Sequence, residues 1–356
     1  MKHEQMQIVS VEAKAEIKKI KILEDLFCEN YNQERSFYLE KDVDQNNKKV
    51  EVKNYEIFWT ELKNPETGEV VEGKLYCPMG GGIKKVLIIS PGYKGDFILQ
   101  ESEYAKDFAK NGRAVLVLRH NGLKVGGEDA KKYVHCPERS RLDQKESDKY
   151  LGSGSFSFDS ANREVLTALK AFNYVIDKIE KIDIIGHSWG GRISLLSVNE
   201  IKQESSQNET AKKIANKIDN LILIGAWLET RRDRIESYLE YFESEATSGY
   251  FKNMDPKEVI ESAIKSSRKL KKLSEKDFPE NMRICGIQSV GDDAVDFEGE
   301  YSEFFKQLKE VKRKGSIVLK DLKGIMPKKI GEREAETHDY FLKQVRGWVK
   351  QIVGNN

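Results

Sequence analysis

The sequence predicts an α/β protein with a mainly parallel central sheet and helices on both faces. Three observations carry this expectation. The runs Val86–Ser90 and Ala114–Leu118 are short and continuously apolar, as strands covered on both faces are. Segments with apolar residues at three-to-four spacing alternate with such runs. That alternation builds βαβ units and therefore parallel pairing.

Along the chain, residues 1–50 are polar and weakly patterned and read as an N-terminal extension. Within them Ala13–Leu26 has the spacing of a helix, and Asp42–Lys49 reads as a linker or turn. Tyr55–Leu62 and Val70–Tyr76 read as a hairpin joined through Asn64-Pro65-Glu66-Thr67-Gly68. Val86–Ser90 follows, then a helix over Ser102–Asn111, the strand Ala114–Leu118, and a long polar loop from Asn121 to Phe158. A helix starting near Ser160 carries Val165, Leu166, Leu169, Phe172, Val175 and Ile176 on one stripe.

Ile182–Ile185 is a strand that runs directly into Gly186-His187-Ser188-Trp189-Gly190. A helix through Ile193, Leu195, Leu196 and Val198 comes next, then a polar connection over 199–218 that reads as at most partly helical. Leu221–Ile224, Arg283–Ser289 and Ser316–Lys320 are further strands, and His338–Val353 is the last helix. Between two of these strands, residues 229–281 read as helical. One stripe there is Ile235, Tyr238, Leu239 and Phe242, and Asp255-Pro256-Lys257-Glu258 forms a helix start with Asp as cap and Pro in the first turn. The expected division is therefore a core of 51–228 plus 282–356, interrupted by a helical insertion at 229–281.

Composition excludes several function classes. The 60 basic and 59 acidic side chains leave a formal charge of +1, so nucleic acid is not an expected partner. No apolar run approaches the roughly 20 residues of a membrane span. Met1–Ile20 has no apolar core of the kind a secretory signal carries. Cys28, Cys77, Cys136 and Cys285 are far apart, with no CxxC pair, and read as free thiols of a cytoplasmic protein.

The pattern G-x-S-x-G alone turns up by chance in about one chain in ten of this size. Its setting sharpens it. A buried strand ends at Gly186 and a helix begins after Ser188, which is the strand–turn–helix context that projects a serine hydroxyl above a sheet. The alternative is an ordinary turn serine that caps the helix.

A serine hydroxyl needs a base. Of the five histidines, His3 is terminal, His187 is held in the turn, and His120 and His135 precede the serine. His338 follows the last strand, which gives the order serine, acid, histidine. The acid belongs just past Arg283–Ser289, in Val290-Gly291-Asp292-Asp293-Ala294-Val295-Asp296. Asp292 is preferred because Val295 can anchor the loop, Asp293 is the alternative, and Asp296 reads as a surface charge. Two backbone N–H groups would form an oxyanion hole, one from Trp189 and one from Pro91-Gly92-Tyr93-Lys94-Gly95-Asp96, with Tyr93 the donor.

Together these segments resemble the α/β-hydrolase superfamily, and esterase and lysophospholipase-like members in particular, from about Tyr55 to the C-terminus. The resemblance lies in Ser90-Pro91-Gly92-Tyr93, in Tyr104–Val115, and in Gly186-His187-Ser188-Trp189-Gly190-Gly191. It implies a triad of Ser188, Asp292 and His338, oxyanion donors at Tyr93 and Trp189, and 229–281 as a cap (lid) over an acyl pocket. The implied activity is cleavage of a small-molecule carboxylic ester or thioester through an acyl-enzyme, with no metal or other cofactor. Acyltransferase and peptidase chemistry would use the same groups, and a non-catalytic member would use the pocket for binding alone. Two departures stand out: Pro91 takes the place of a histidine common in the family, and Arg119-His120-Asn121-Gly122 that of Asp-x-Arg-Gly.

Overall fold

In a computed structural model the residues described are 41–43, 49–51, 55–64, 66–78, 83–92, 99–120, 156–172, 178–247, 254–289, 297–309, 317–322 and 345–354. Asp42–Lys49, read as a linker or turn, is flanked by a short antiparallel pair, β1 (Lys41–Val43) and β2 (Lys49–Glu51). The helix expected at Ala13–Leu26 lies outside the described residues.

Every strand expected after residue 50 joins one sheet. These are β3 (Tyr55–Lys63), β4 (Val70–Pro78), β5 (Lys85–Ser90), β6 (Ala114–Arg119), β7 (Lys181–His187), β8 (Ile218–Ile224), β9 (Arg283–Ser289) and β10 (Ile317–Leu322). Their order is β10-β9-β8-β7-β5-β6-β4-β3. β3, β4 and β6 pair antiparallel in turn, and all pairings from β6 through β5, β7, β8 and β9 to β10 are parallel. The β3–β4 hairpin turns where expected: Asn64 Oδ1 accepts from the Glu66 N–H at 2.9 Å, and Gly68 takes a positive φ of 75°.

The helices are α1 (Leu99–Lys110), α2 (Phe158–Ala171), α3 (Trp189–Glu204), α4 (Glu209–Lys217), α5 (Ile235–Thr247), α6 (Pro256–Leu270), α7 (Glu303–Lys309) and α8 at 345–354. Several elements differ from expectation, α1 and β8 by starting about three residues early, and three more differ for a visible reason. α2 starts at Phe158 because Ser157 and Ser160 cap reciprocally: each hydroxyl accepts from the other's backbone N–H, at 3.1 and 2.9 Å. The connection 199–218 is mostly helical, since α3 runs on to Glu204 and α4 follows. The buried face of α4 is only Ala211, Ile214 and Ala215 among lysines, so it looked polar. α7 and the π-turn Phe297–Ser302 before it were not expected at all. They bury Tyr301 and Phe305 against Gly286 of β9, with Phe304 packed on Phe305.

Helices cover both faces. One apolar cluster joins α2, α3, α5 and α6 to one side of the sheet, and the other joins α1 and α8 to the opposite side. Asp255 caps α6 as anticipated, accepting from the Lys257 N–H at 2.9 Å. No helix among the described residues is long and apolar enough to cross a membrane.

A buried polar cluster fastens the N-terminal ends of the strands. Arg113, just before β6, donates to Asp183 in β7 and to the Val353 carbonyl of α8. Asn220 in β8 donates to Asp183, and Arg283 donates to the Ile352 carbonyl at 3.0 Å. Two arginines therefore satisfy the last carbonyls of α8, where cations are favoured. Burial pushes the Asp183 carboxyl above its ordinary range, while Arg113 and Asn220 pull it back. Asp183→Ala would leave the Arg113 charge buried without its partner, a loss of about 3–5 kcal/mol, measurable by denaturant unfolding. A midpoint equal to the wild type's would show that the pair contributes nothing net.

Candidate active site

The parallel strands point their C-terminal ends to one edge, and strand order reverses direction at β5, whose neighbours are β6 and β7. Ligand crevices in open α/β sheets form at such a reversal. Ser90, ending β5, is in register with Gly186 in β7, so the loop after β5 and the turn after β7 begin side by side.

Ser188 occupies that turn with φ 52° and ψ −119°, and among the described residues no other non-glycine has a positive φ. A side chain in that region costs about 1–3 kcal/mol and persists only where its surroundings enforce it. Packing at the glycines shows how they do. A Cβ on Gly190 would lie 2.0 Å from the Ser90 carbonyl oxygen and 2.5 Å from that of Pro91. A Cβ on Gly186 would meet the Gly191 backbone at 2.5 Å, and one on Gly191 would meet Ala226 Cβ at 2.4 Å. From the other side, a Cβ on Gly92 would reach Ser188 Cβ at 2.7 Å. The backbone is also tied across: Ser188 N–H donates to Ile224 at 2.9 Å, and Trp227 N–H donates to Ser188 at 3.0 Å.

Ser188 precedes α3, yet its hydroxyl makes no capping bond to that helix. The turn-serine alternative required one. Ser188 is half-buried on a strained backbone, with its Cβ beside Gly92 of the β5 loop.

Trp189, the proposed donor next to it, has its indole buried in an aromatic cluster. Ring centroids lie 4.5 Å away for Phe156, 5.5 Å for Phe158 and 5.7 Å for Phe242 of α5. One turn along α3, Arg192 is fully buried. It donates to the Trp227 carbonyl at 2.8 Å, and to Thr230 Oγ1 and the Ala263 carbonyl at 2.9 Å each. Its guanidinium lies 4.6 Å from the Trp227 ring and 5.0 Å from that of Phe158. The sequence reading missed Arg192. A charged residue so close to a helix start reads as solvated unless the helix is known to be covered on every side.

The structure thus brings Ser188, Trp189 and Gly92 together. Tyr93, Asp292, Asp293, Asp296 and His338 lie outside the described residues. Cys77 and Cys285 are buried, and burial pushes the Cys285 thiol up to about 11, which leaves it protonated and unreactive. A cavity of about 600 Å³ between the loop after β8 and α6 is lined by charged side chains such as Arg231, Arg268 and Lys271 and does not reach Ser188. Among the described residues no group of His, Cys, Asp and Glu is arranged to hold a metal ion.

The path of the chain is shared with known structures. A thermostable carboxyl esterase from Bacillus coagulans is 10% identical, with 83% of this chain and 99% of that one covered and a TM-score of 0.51. A lipase in its open form is 12% identical, with coverage of 83% and 99% and the same TM-score of 0.51. The chain has the α/β-hydrolase fold. The esterase Est22 agrees at 13% identity, coverage of 85% and 82%, and a TM-score of 0.51. No protein-family model and no curated protein matches the sequence. At these identities the likeness concerns the α/β-hydrolase backbone alone.

Two substitutions test whether the elbow is strained. Ser188→Gly removes an L side chain from an unfavourable region, so the folded protein should gain about 1 kcal/mol despite glycine's entropy cost. A loss instead would mean the turn is relaxed. Gly190→Ala should cost about 1–3 kcal/mol or more, since its Cβ would meet backbone, and thermal unfolding reads both.

Proposed function

We propose that this protein is a serine hydrolase that cleaves a carboxylic ester or thioester through an acyl-enzyme. Ser188 is the nucleophile, His338 the general base, and Asp292 the acid that orients the imidazole, with Asp293 as the alternative. The backbone N–H groups of Tyr93 and Trp189 receive the charge that develops on the carbonyl oxygen. The observation that carries this reading is the backbone of Ser188, strained, packed between glycines and not used to cap its helix. Strain of that kind has a purpose when the hydroxyl must stand clear for attack.

In this reading His338 takes the Ser188 proton as oxygen attacks the acyl carbon, then returns it to the leaving group. Water attacks the acyl-enzyme by the same route reversed. Residues 229–281 serve as a cap, a role supported by α5 and α6 lying between β8 and β9 in sequence and by Phe242 packing on Trp189. The aromatic and aliphatic character of α5 favours an apolar acyl group.

A fluorophosphonate probe should label the folded protein at one site, and Ser188→Ala should abolish both labelling and ester turnover, a fall of about 10⁴-fold or more. Labelling that survives Ser188→Ala would refute the assignment. Asp292→Asn should likewise cost far more turnover than Asp293→Asn; the reverse order would move the acid by one position. A panel of esters graded by acyl length then reads the cap, and a flat profile would remove its role in selecting an acyl chain.

A further inference from the structure

Where the loop after β5 begins, three side chains from three elements form a buried chain. Ser90, the last residue of β5, places Oγ 3.2 Å from Nε2 of His120, which directly follows β6. Nδ1 of the same ring lies 2.6 Å from Oε2 of Glu164 on α2. Ser90 is 0% exposed, and the side chains of His120 and Glu164 are 2% and 4% exposed. A carboxylate can only accept, so Nδ1 carries a proton. A neutral ring then leaves Nε2 to accept from the Ser90 hydroxyl. The order of groups is that of a nucleophilic triad, but no substrate reaches a hydroxyl so buried. Chemistry at Ser90 is ruled out, and a mechanical role is left.

We propose that the Ser90–His120–Glu164 relay positions Ser90, Pro91 and Gly92 against the first turn of α3 and so holds the Ser188 turn and the Trp189 backbone donor in place for the reaction. The inference rests on the serine hydrolase reading above. Trp189, a donor of that reading, lies between the two residues in contact, following Ser188 and preceding Gly190. Ser90 and Pro91 carbonyls press on Gly190, and Gly92 presses on Ser188, so any drift of Ser90 shifts the backbone on either side of Trp189.

His120 and Glu164 oppose that drift by tying Ser90 to the end of β6 and to α2. α2 also braces Trp189 itself, because Phe158 stacks on its ring at 5.5 Å. One helix therefore holds both sides of the contact between the β5 loop and α3. An oxyanion hole acts by being in place before charge develops, and such placement depends on the groups behind the donors. Ser90, His120 and Glu164 are positioning residues, and none of them touches the reacting atoms.

Ser90→Ala removes the hydroxyl without adding volume, and Glu164→Gln keeps the shape while removing the charge. Both are compared with wild type, as full-length protein, for fluorophosphonate stoichiometry, thermal midpoint, and kcat and KM on an activated ester. Each should still label fully at Ser188, more slowly, with kcat down about tenfold or more and KM little changed; this is short of the roughly 10²–10³ lost with an oxyanion donor itself. The double variant should fall little further, because a relay broken at one joint is broken throughout. A purely structural role would lower the midpoint and leave kcat of the folded protein alone. If either variant folds and keeps wild-type kcat, or if the two losses multiply, the relay is overturned while the Ser188 assignment stands. If wild type is not labelled, the hydrolase reading fails and the relay falls with it.

Discussion

The first turn of α3 lies against the carbonyl oxygens that end β5, closer than any side chain at residue 190 would permit. The rest of the candidate site follows from this approach. It forces glycine at 190, and the turn leading into it needs glycine at 186 and 191 as well, because Gly186 folds onto Gly191 and Gly191 onto Ala226. Between them Ser188 has no relaxed backbone available and takes a positive φ. The strain is local, on the order of 1–3 kcal/mol, and is held by ladder bonds to β8 and by a helix buried on nearly every side.

That helix is fixed as much by polar as by apolar contacts. Arg192 donates to carbonyls and hydroxyls of the loop after β8 and of α6, and its guanidinium lies within 5.0 Å of the centroids of two aromatic rings. Burying a cation without such partners would be prohibitive. With them, α6 cannot slide on α3 without exposing unpaired acceptors. Whatever motion the proposed cap has must therefore arise on the α5 side, where Phe242 and Tyr238 make aromatic contacts with Trp189 and Trp227 that have no directional requirement comparable to a guanidinium's.

What the sequence revealed divides along the same physical line. Runs such as Val86–Ser90 and Ile182–Ile185 are legible as strands because burial on both faces leaves an unbroken apolar signature, and the G-x-S-x-G turn is legible because close approach demands glycine. The helix α4 was legible only as partial helicity in a polar connection, and α7 was missed, because each buries only a few side chains among many charges. Arg192 and the Ser90–His120–Glu164 chain were missed for another reason. Their meaning lies in contacts between residues 30 to 74 positions apart, and a polar residue looks alike in sequence whether it is solvated or buried with partners.

His120 and His338 illustrate how that ambiguity resolves. Chain order alone set His120 aside, since it precedes Ser188, and favoured His338 as the base. Spatially His120 is not remote at all: it follows β6, which pairs with β5, which pairs with β7, at the strand ends where the Ser188 turn begins. What keeps it from serving as base is burial. Its two ring nitrogens face Ser90 and Glu164, neither of which a substrate can approach. A histidine closed off in this way has no reacting group with which to exchange a proton, and its rotamer and tautomer, fixed by Ser90 and Glu164, suit it to holding a loop still.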